Sequence, residues 1–225
     1  LMEVLRDVVP QKLFAAIEGT VTDIAKNKRG SLLSIGVVAA LIFSTNGINT
    51  LIIAFNETVN SFETRNWFER RVVSLILVVL VSLLISVAIG LIIFSEKIIS
   101  FLVMNGILQD RFTIYLLLFG RWLVIVSLFY FAIAFLYYLA PSRKAEFKFF
   151  SPGSTLATIL GILTSVGFSY YIENFNRYNT LYGSIGTLII ILLWFYINAI
   201  VLLVGFELNA SIINAKKKQI ENNTS

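Results

Sequence analysis

The sequence predicts an all-α, polytopic transmembrane helical bundle, and three observations carry that reading. Of 225 residues, 57% are hydrophobic and 14% charged, with a mean hydropathy of +0.84. Soluble domains carry about 45–50% apolar and about 25% charged residues. The apolar residues are also gathered into five runs, each long enough to cross a bilayer, which takes about 20 residues. None of the runs alternates with the period of two that a membrane β-strand needs. In hydrocarbon every backbone N–H and C=O must be paired, so uninterrupted runs of this length fold as helices.

The five spans are expected at about 31–55, 72–95, 113–140, 153–171 and 184–206, inside a transmembrane region of residues 31–212. Only the third contains a charge, Arg121. Residues 1–30 place Val4, Val8, Leu13, Ile17, Val21 and Ile24 at an approximate helical period, the pattern of an amphipathic segment lying on a membrane surface. Residues 213–225 form a basic tail. Small residues recur every fourth position in the fourth span (Gly153, Ala157, Gly161, Ser165, Ser169) and the second (Ser82, Ser86, Gly90). Such stripes allow close helix approach, static or sliding.

Lys and Arg set the orientation. Arg65, Arg70 and Arg71 follow the first span, Arg143, Lys144 and Lys148 the third, and Lys216, Lys217 and Lys218 the fifth. The alternate loops hold only Lys97, Arg111 and Arg177. The excess predicts a multi-pass membrane protein with its C-terminus cytoplasmic and residues 1–30 extracytoplasmic; the resemblance described below implies the bacterial cytoplasmic (inner) membrane. An external start with five spans is what the loss of one earlier helix would produce. The net charge of +5 then reads as topology and lipid-headgroup contact, not nucleic-acid binding.

The chain has no His and no Cys. That removes disulfides, His- or Cys-ligated metal sites and His general bases. No cofactor or metal is implied, and no catalytic residue stands out.

Polar residues inside the spans are the functional candidates. Asn46, Asn49 and Asn56 in the first span, with Glu207 and Asn209 in the last, fall in the same inner-leaflet region and are expected to form a polar site open to the cytoplasm. The bland alternative is interhelical glue, worth about 0.6 kcal/mol per contact. Arg121 either snorkels to outer headgroups or meets an anion in an outward cavity, with Glu173 the acid closest in depth. The outer loop from Asn174 to Gly186, with Tyr178, Asn179, Tyr182 and Gly183, reads as an aromatic belt and turn, or as a binding loop.

Several of these segments carry a resemblance. Asn174-Phe-Asn-Arg-Tyr-Asn-Thr-Leu-Tyr-Gly-Ser-Ile-Gly186, an apolar run with Trp194 and Tyr196, and Gly205-Phe-Glu-Leu-Asn-Ala210 resemble the C-terminal signature of the YihY/BrkB family of bacterial inner-membrane proteins, formerly called ribonuclease BN. Ser34-Ile-Gly36, Glu63-Thr-Arg65 with Arg70-Arg71, Tyr137-Tyr138-Leu-Ala-Pro141 and Pro152-Gly153 are similar to it too. The resemblance covers about residues 31–210. It implies six spans with both ends cytoplasmic, which accords with a missing first helix. Many members have a basic residue before the glycine that here follows Asn46, so a role tied to that charge does not carry over. The family's associations are loose: tRNA processing, serum resistance and envelope-related roles.

Three functions are weighed. Transport or flipping of a lipid, envelope precursor or small polar solute uses the intramembrane amides, Arg and Glu. A non-catalytic scaffold would use membrane lipids and envelope protein partners, or a second copy of the chain. A membrane-bound tRNA-processing ribonuclease would need clustered acids, usually with His, to hold metal ions. The 13 acidic residues are spread thinly, so this is the weakest reading.

Overall fold

The computed structural model describes residues 30–58, 65–108, 110–142, 148–174 and 177–224. The amphipathic segment expected at 1–30 lies outside them except for Gly30. Five helices fill the described residues: α1 (Gly30–Thr58), α2 (Trp67–Met104), α3 (Arg111–Leu139), α4 (Pro152–Asn174) and α5 (Arg177–Thr224). All five are long and apolar enough to cross a membrane. Among the described residues there is no strand.

Helix ends follow local chemistry. Asn66 precedes α2, and its backbone N–H donates to the Glu69 carboxylate at 3.3 Å. Asp110 caps α3, accepting from the Phe112 N–H at 3.2 Å and the Thr113 hydroxyl at 3.0 Å. Gly106 ends α2 at φ 67°, a left-handed conformation that glycine adopts without Cβ strain. No proline interrupts α5, so it runs unbroken for 48 residues, about 72 Å at 1.5 Å per residue. It therefore includes most of the stretch read from sequence as an outer loop: Tyr178, Asn179, Tyr182, Gly183 and Gly186 are helical. Asn174 closes α4.

Each helix packs against its neighbours in sequence, and α1 also meets α5, which closes a ring. The core is concentrated toward one end of that ring. Ile52, Phe55, Leu77, Ile133, Leu136, Tyr137, Ala157, Val201 and Phe206 form it. Phe55 stacks on Phe206 with centroids 4.2 Å apart, and Tyr137 meets both rings edge-on at 5.6 and 5.5 Å. Away from this knot the faces are apolar and exposed, as at Phe43, Leu83 and Phe119. Faces of this kind suit lipid, not water.

The tightest crossing is between α4 and α5. A Cβ on Gly205 would lie 2.6 Å from the Tyr137 hydroxyl and 2.7 Å from both the Ala157 Cβ and the Gly153 carbonyl. A Cβ on Gly153 would fall 2.6 Å from the Asn209 amide and would also strike the Gly205 carbonyl. The first half of the α4 stripe thus faces α5, while Gly161 lies against the Phe129 ring of α3. The α2 stripe behaves differently. Ser82 and Ser86 are exposed, a Cβ on Gly90 would meet nothing within 4 Å, and the Ser86 hydroxyl returns to its own helix at the Ser82 carbonyl. Spacing alone allows close approach there, but no described helix uses it.

Replacing Gly205 or Gly153 with Ala should force α4 and α5 apart at a cost of about 1–3 kcal/mol. The measurement is thermal unfolding in detergent followed by size-exclusion. Gly36→Ala, at a position with open space around it, should leave the melting temperature unchanged.

Candidate functional site

The polar residues singled out from sequence separate into different places. At the tightly packed end they serve the backbone. Asn209, buried on α5, accepts the Gly153 N–H at 2.8 Å and donates to the Ser151 hydroxyl at 2.8 Å. It thereby satisfies a first-turn N–H of α4, a group that has no partner within its own helix. Ser151 adds to this cap, accepting the Ser154 N–H at 3.2 Å. Asn56, buried on α1, accepts from the Ser142 N–H at 3.0 Å and the Ser142 hydroxyl at 3.2 Å.

Arg65 completes the arrangement. Its guanidinium donates to the carbonyls of Ala140 (3.0 Å), Leu139 (3.4 Å) and Pro141. These are end-of-helix carbonyls of α3, so the cation also meets the negative end of the helix dipole. The Tyr137 hydroxyl donates to the Leu202 carbonyl at 2.6 Å, tying α3 to α5. Asn56, Arg65, Tyr137, Ser151 and Asn209 thus form a clasp over the α3–α4 connection.

The other candidates stand apart. Glu207 is exposed, although it is only two positions from Asn209. Residues two apart on a helix do not share a face. Asn49 is half-buried. Asn46 is exposed, and its side-chain carbonyl accepts from Arg71 Nη1 of α2 at 2.5 Å. Asn46 is ten residues from Asn56, about 15 Å along the helix. The two therefore belong to different sites.

Arg71 and its surroundings are the feature that sequence reasoning passed over, because a basic pair after a span reads as topology. Leu41, Ile42, Thr45, Phe68, Arg71, Val72 and Leu75 line an open groove of about 340 Å³ between α1 and α2. The Thr45 hydroxyl turns back to the Leu41 carbonyl, which leaves Arg71 as the polar feature of an otherwise apolar groove.

Arg121 is half-buried in α3. Its guanidinium carbon lies 5.9 Å from the centroid of the adjacent Trp122 ring. Its Nε is buried and, among the described residues, has no hydrogen-bond partner. The side chains of Glu173, Asn174, Tyr178, Asn179 and Tyr182, the surroundings of Gly183 and the expected Arg121–Glu173 proximity lie outside the described residues. The Gly186 position is buried.

Fold and site together define a polytopic helical membrane protein whose helix ends are locked by a polar clasp and whose spans carry arginines. The chain belongs to the Virulence factor BrkB family, which it matches over residues 1–225. It is 31% identical over 228 residues to YfkH of Bacillus subtilis, a protein whose name calls it ribonuclease-like; the match covers 99% of this chain and 80% of that one. It is 42% identical over 77 residues to a UPF0761 membrane protein of Pseudoalteromonas translucida, covering 34% of this chain and 26% of the relative. A UPF0761 membrane protein of Vibrio campbellii is 34% identical over 95 residues, 42% of this chain and 30% of the relative. The last two matches span only about a quarter to a third of those relatives. No solved structure matches the chain.

Asn209→Leu should leave the Gly153 N–H buried and unpaired, a loss of about 1–3 kcal/mol. Arg65→Met should free the end of α3. Hydrogen exchange of residues 139–142 and 151–154 reads both, and faster exchange at the affected helix end is the expected result.

Proposed function

We propose that the protein moves or flips an amphipathic solute, a lipid or an envelope precursor, across the bacterial cytoplasmic membrane, with its C-terminus on the cytoplasmic side. One observation carries the reading. Two arginines lie within apolar helices, Arg71 near the clasp end and Arg121 in the other half of the bundle, and among the described residues neither guanidinium has all its donors taken up by the fold. A cation in a spanning helix is costly unless it meets a partner, a cavity or a headgroup. Basic groups at two depths offer an anionic headgroup successive places to rest. The side assignment rests on the positive-inside bias of Arg65, Arg70, Arg71, Lys148, Lys216 and Lys218.

A scaffold reading has one observation in its favour. Beyond Asn209, α5 continues as a helix through 210–224, displaying Lys216, Lys218 and Glu221 on exposed positions. That extension offers a partner a charged helical surface. The ribonuclease reading finds no His in the sequence and, among the described residues, no cluster of acids of the kind that metal-assisted RNA cleavage uses.

Reconstitution into liposomes with fluorescently labelled lipids separates these readings. Transport should raise the rate of lipid movement above that of empty vesicles, and Arg71→Gln combined with Arg121→Gln should return it to that baseline. No movement across several headgroups leaves the scaffold. Cleavage of a tRNA precursor abolished by a Glu substitution would overturn both.

A further inference from the structure

The structure assigns the α1–α2 groove as a binding site for an anionic membrane lipid, with Arg71 taking the phosphodiester headgroup and the groove walls taking an acyl chain. The occupant follows from three features. The polar end of the groove is a cation. Arg71 spends one N–H on Asn46 Oδ1, at 2.5 Å, and among the described residues it meets no carboxylate. A guanidinium carries five N–H donors in a planar fork, a geometry suited to a phosphate. The nearest acid on the same helix turn, Glu69, is turned to the Asn66 N–H. Asn46 holds the fork in place without neutralising it.

The walls argue for a lipid over a free anion. Leu41, Ile42, Val72 and Leu75 run along the groove on the membrane side of Arg71, and Phe68 closes it at the start of α2. Trp67 and Phe68 are both 69% exposed, one helix turn from Arg71. Aromatic side chains at this position match the headgroup level of a bilayer. A volume of about 340 Å³ admits a headgroup and the start of a chain but leaves the rest of the molecule in the bilayer.

This site gives the proposed function a substrate class. It rests on that reading only in treating the bound lipid as cargo, so binding and movement are measured separately. The test is native mass spectrometry of the purified full chain offered equal amounts of phosphatidylglycerol and phosphatidylcholine. The wild type should retain phosphatidylglycerol preferentially. Arg71→Gln should lower that preference about tenfold, the size expected for losing a charge-assisted hydrogen bond. Lys148→Gln, which removes an exposed cation outside the groove, should leave it unchanged. Val72→Trp keeps Arg71 but fills the groove, and should reduce retention of both lipids, so the inference stays testable if the Arg71 variant does not fold. Three results would overturn it: an unchanged preference in Arg71→Gln, an equal loss in Lys148→Gln, or displacement of the lipid by inorganic phosphate. Intact retention with no lipid movement in liposomes would remove transport and leave the site standing.

Discussion

The contact on which the bundle depends is the meeting of Gly153 and Gly205, with the Gly153 N–H held by Asn209. Between apolar helices in lipid there is little hydrophobic drive to associate, so close packing and satisfied polar groups must supply it. Two glycines let the backbones of α4 and α5 approach to a distance that any Cβ would forbid. The approach buries a helix-start N–H that no residue of α4 can satisfy. Asn209 supplies the missing acceptor, and its own N–H₂ is taken up by Ser151. Steric fit and hydrogen bonding therefore enforce one register, and the aromatic knot of Phe55, Tyr137 and Phe206 packs beside it.

The same logic extends around the clasp. α3 ends with carbonyls that lack intrahelical partners, and Arg65 takes three of them. The connection beyond α3 would otherwise present backbone groups to apolar surroundings, and Asn56 receives the one at Ser142. The α3–α4 connection is held from α1, from the α1–α2 connection and from α5. That explains why the core gathers at this end: the residues that bury best are those whose helices are already pinned.

The spans were legible in the sequence because bilayer thickness imposes a length and composition that few soluble segments meet. The family was legible through the Pro152-Gly153 and Gly205 to Ala210 segments, which are the two halves of the glycine crossing. The polar site was legible only residue by residue. Asn56 and Asn209 were picked out as intramembrane amides, but depth is a single coordinate. Helical phase is the second, and it turns Glu207 away from Asn209, while about 15 Å of rise along α1 parts Asn46 from Asn56. Partners at large sequence separation, such as Arg65 with Ala140 or Asn56 with Ser142, leave no periodic trace. Arg65 and Arg71 were hidden for another reason: a basic cluster after a span has a sufficient explanation in topology. The outer stretch reads as a turn because its glycines and asparagines resemble one, whereas its backbone from Arg177 on is the first part of α5.

Hydrogen-bond satisfaction sorts the polar residues better than depth does. Asn56, Arg65, Tyr137 and Asn209 each end on a backbone group or a capping hydroxyl, and their chemistry is consumed in holding the fold. Arg71 and Arg121 are different. One donates a single N–H to an amide and keeps the rest of its fork, and the other buries an Nε that nothing among the described residues accepts. Removing a residue of the first kind should register as lost stability, since it strands a buried partner. Removing one of the second kind strands little: Arg71 meets only the exposed Asn46 amide, and among the described residues nothing accepts from Arg121 Nε. A guanidinium with donors left over in an apolar helix is a standing cost to the fold, and the groove beside Arg71 is where an anionic lipid would offset it.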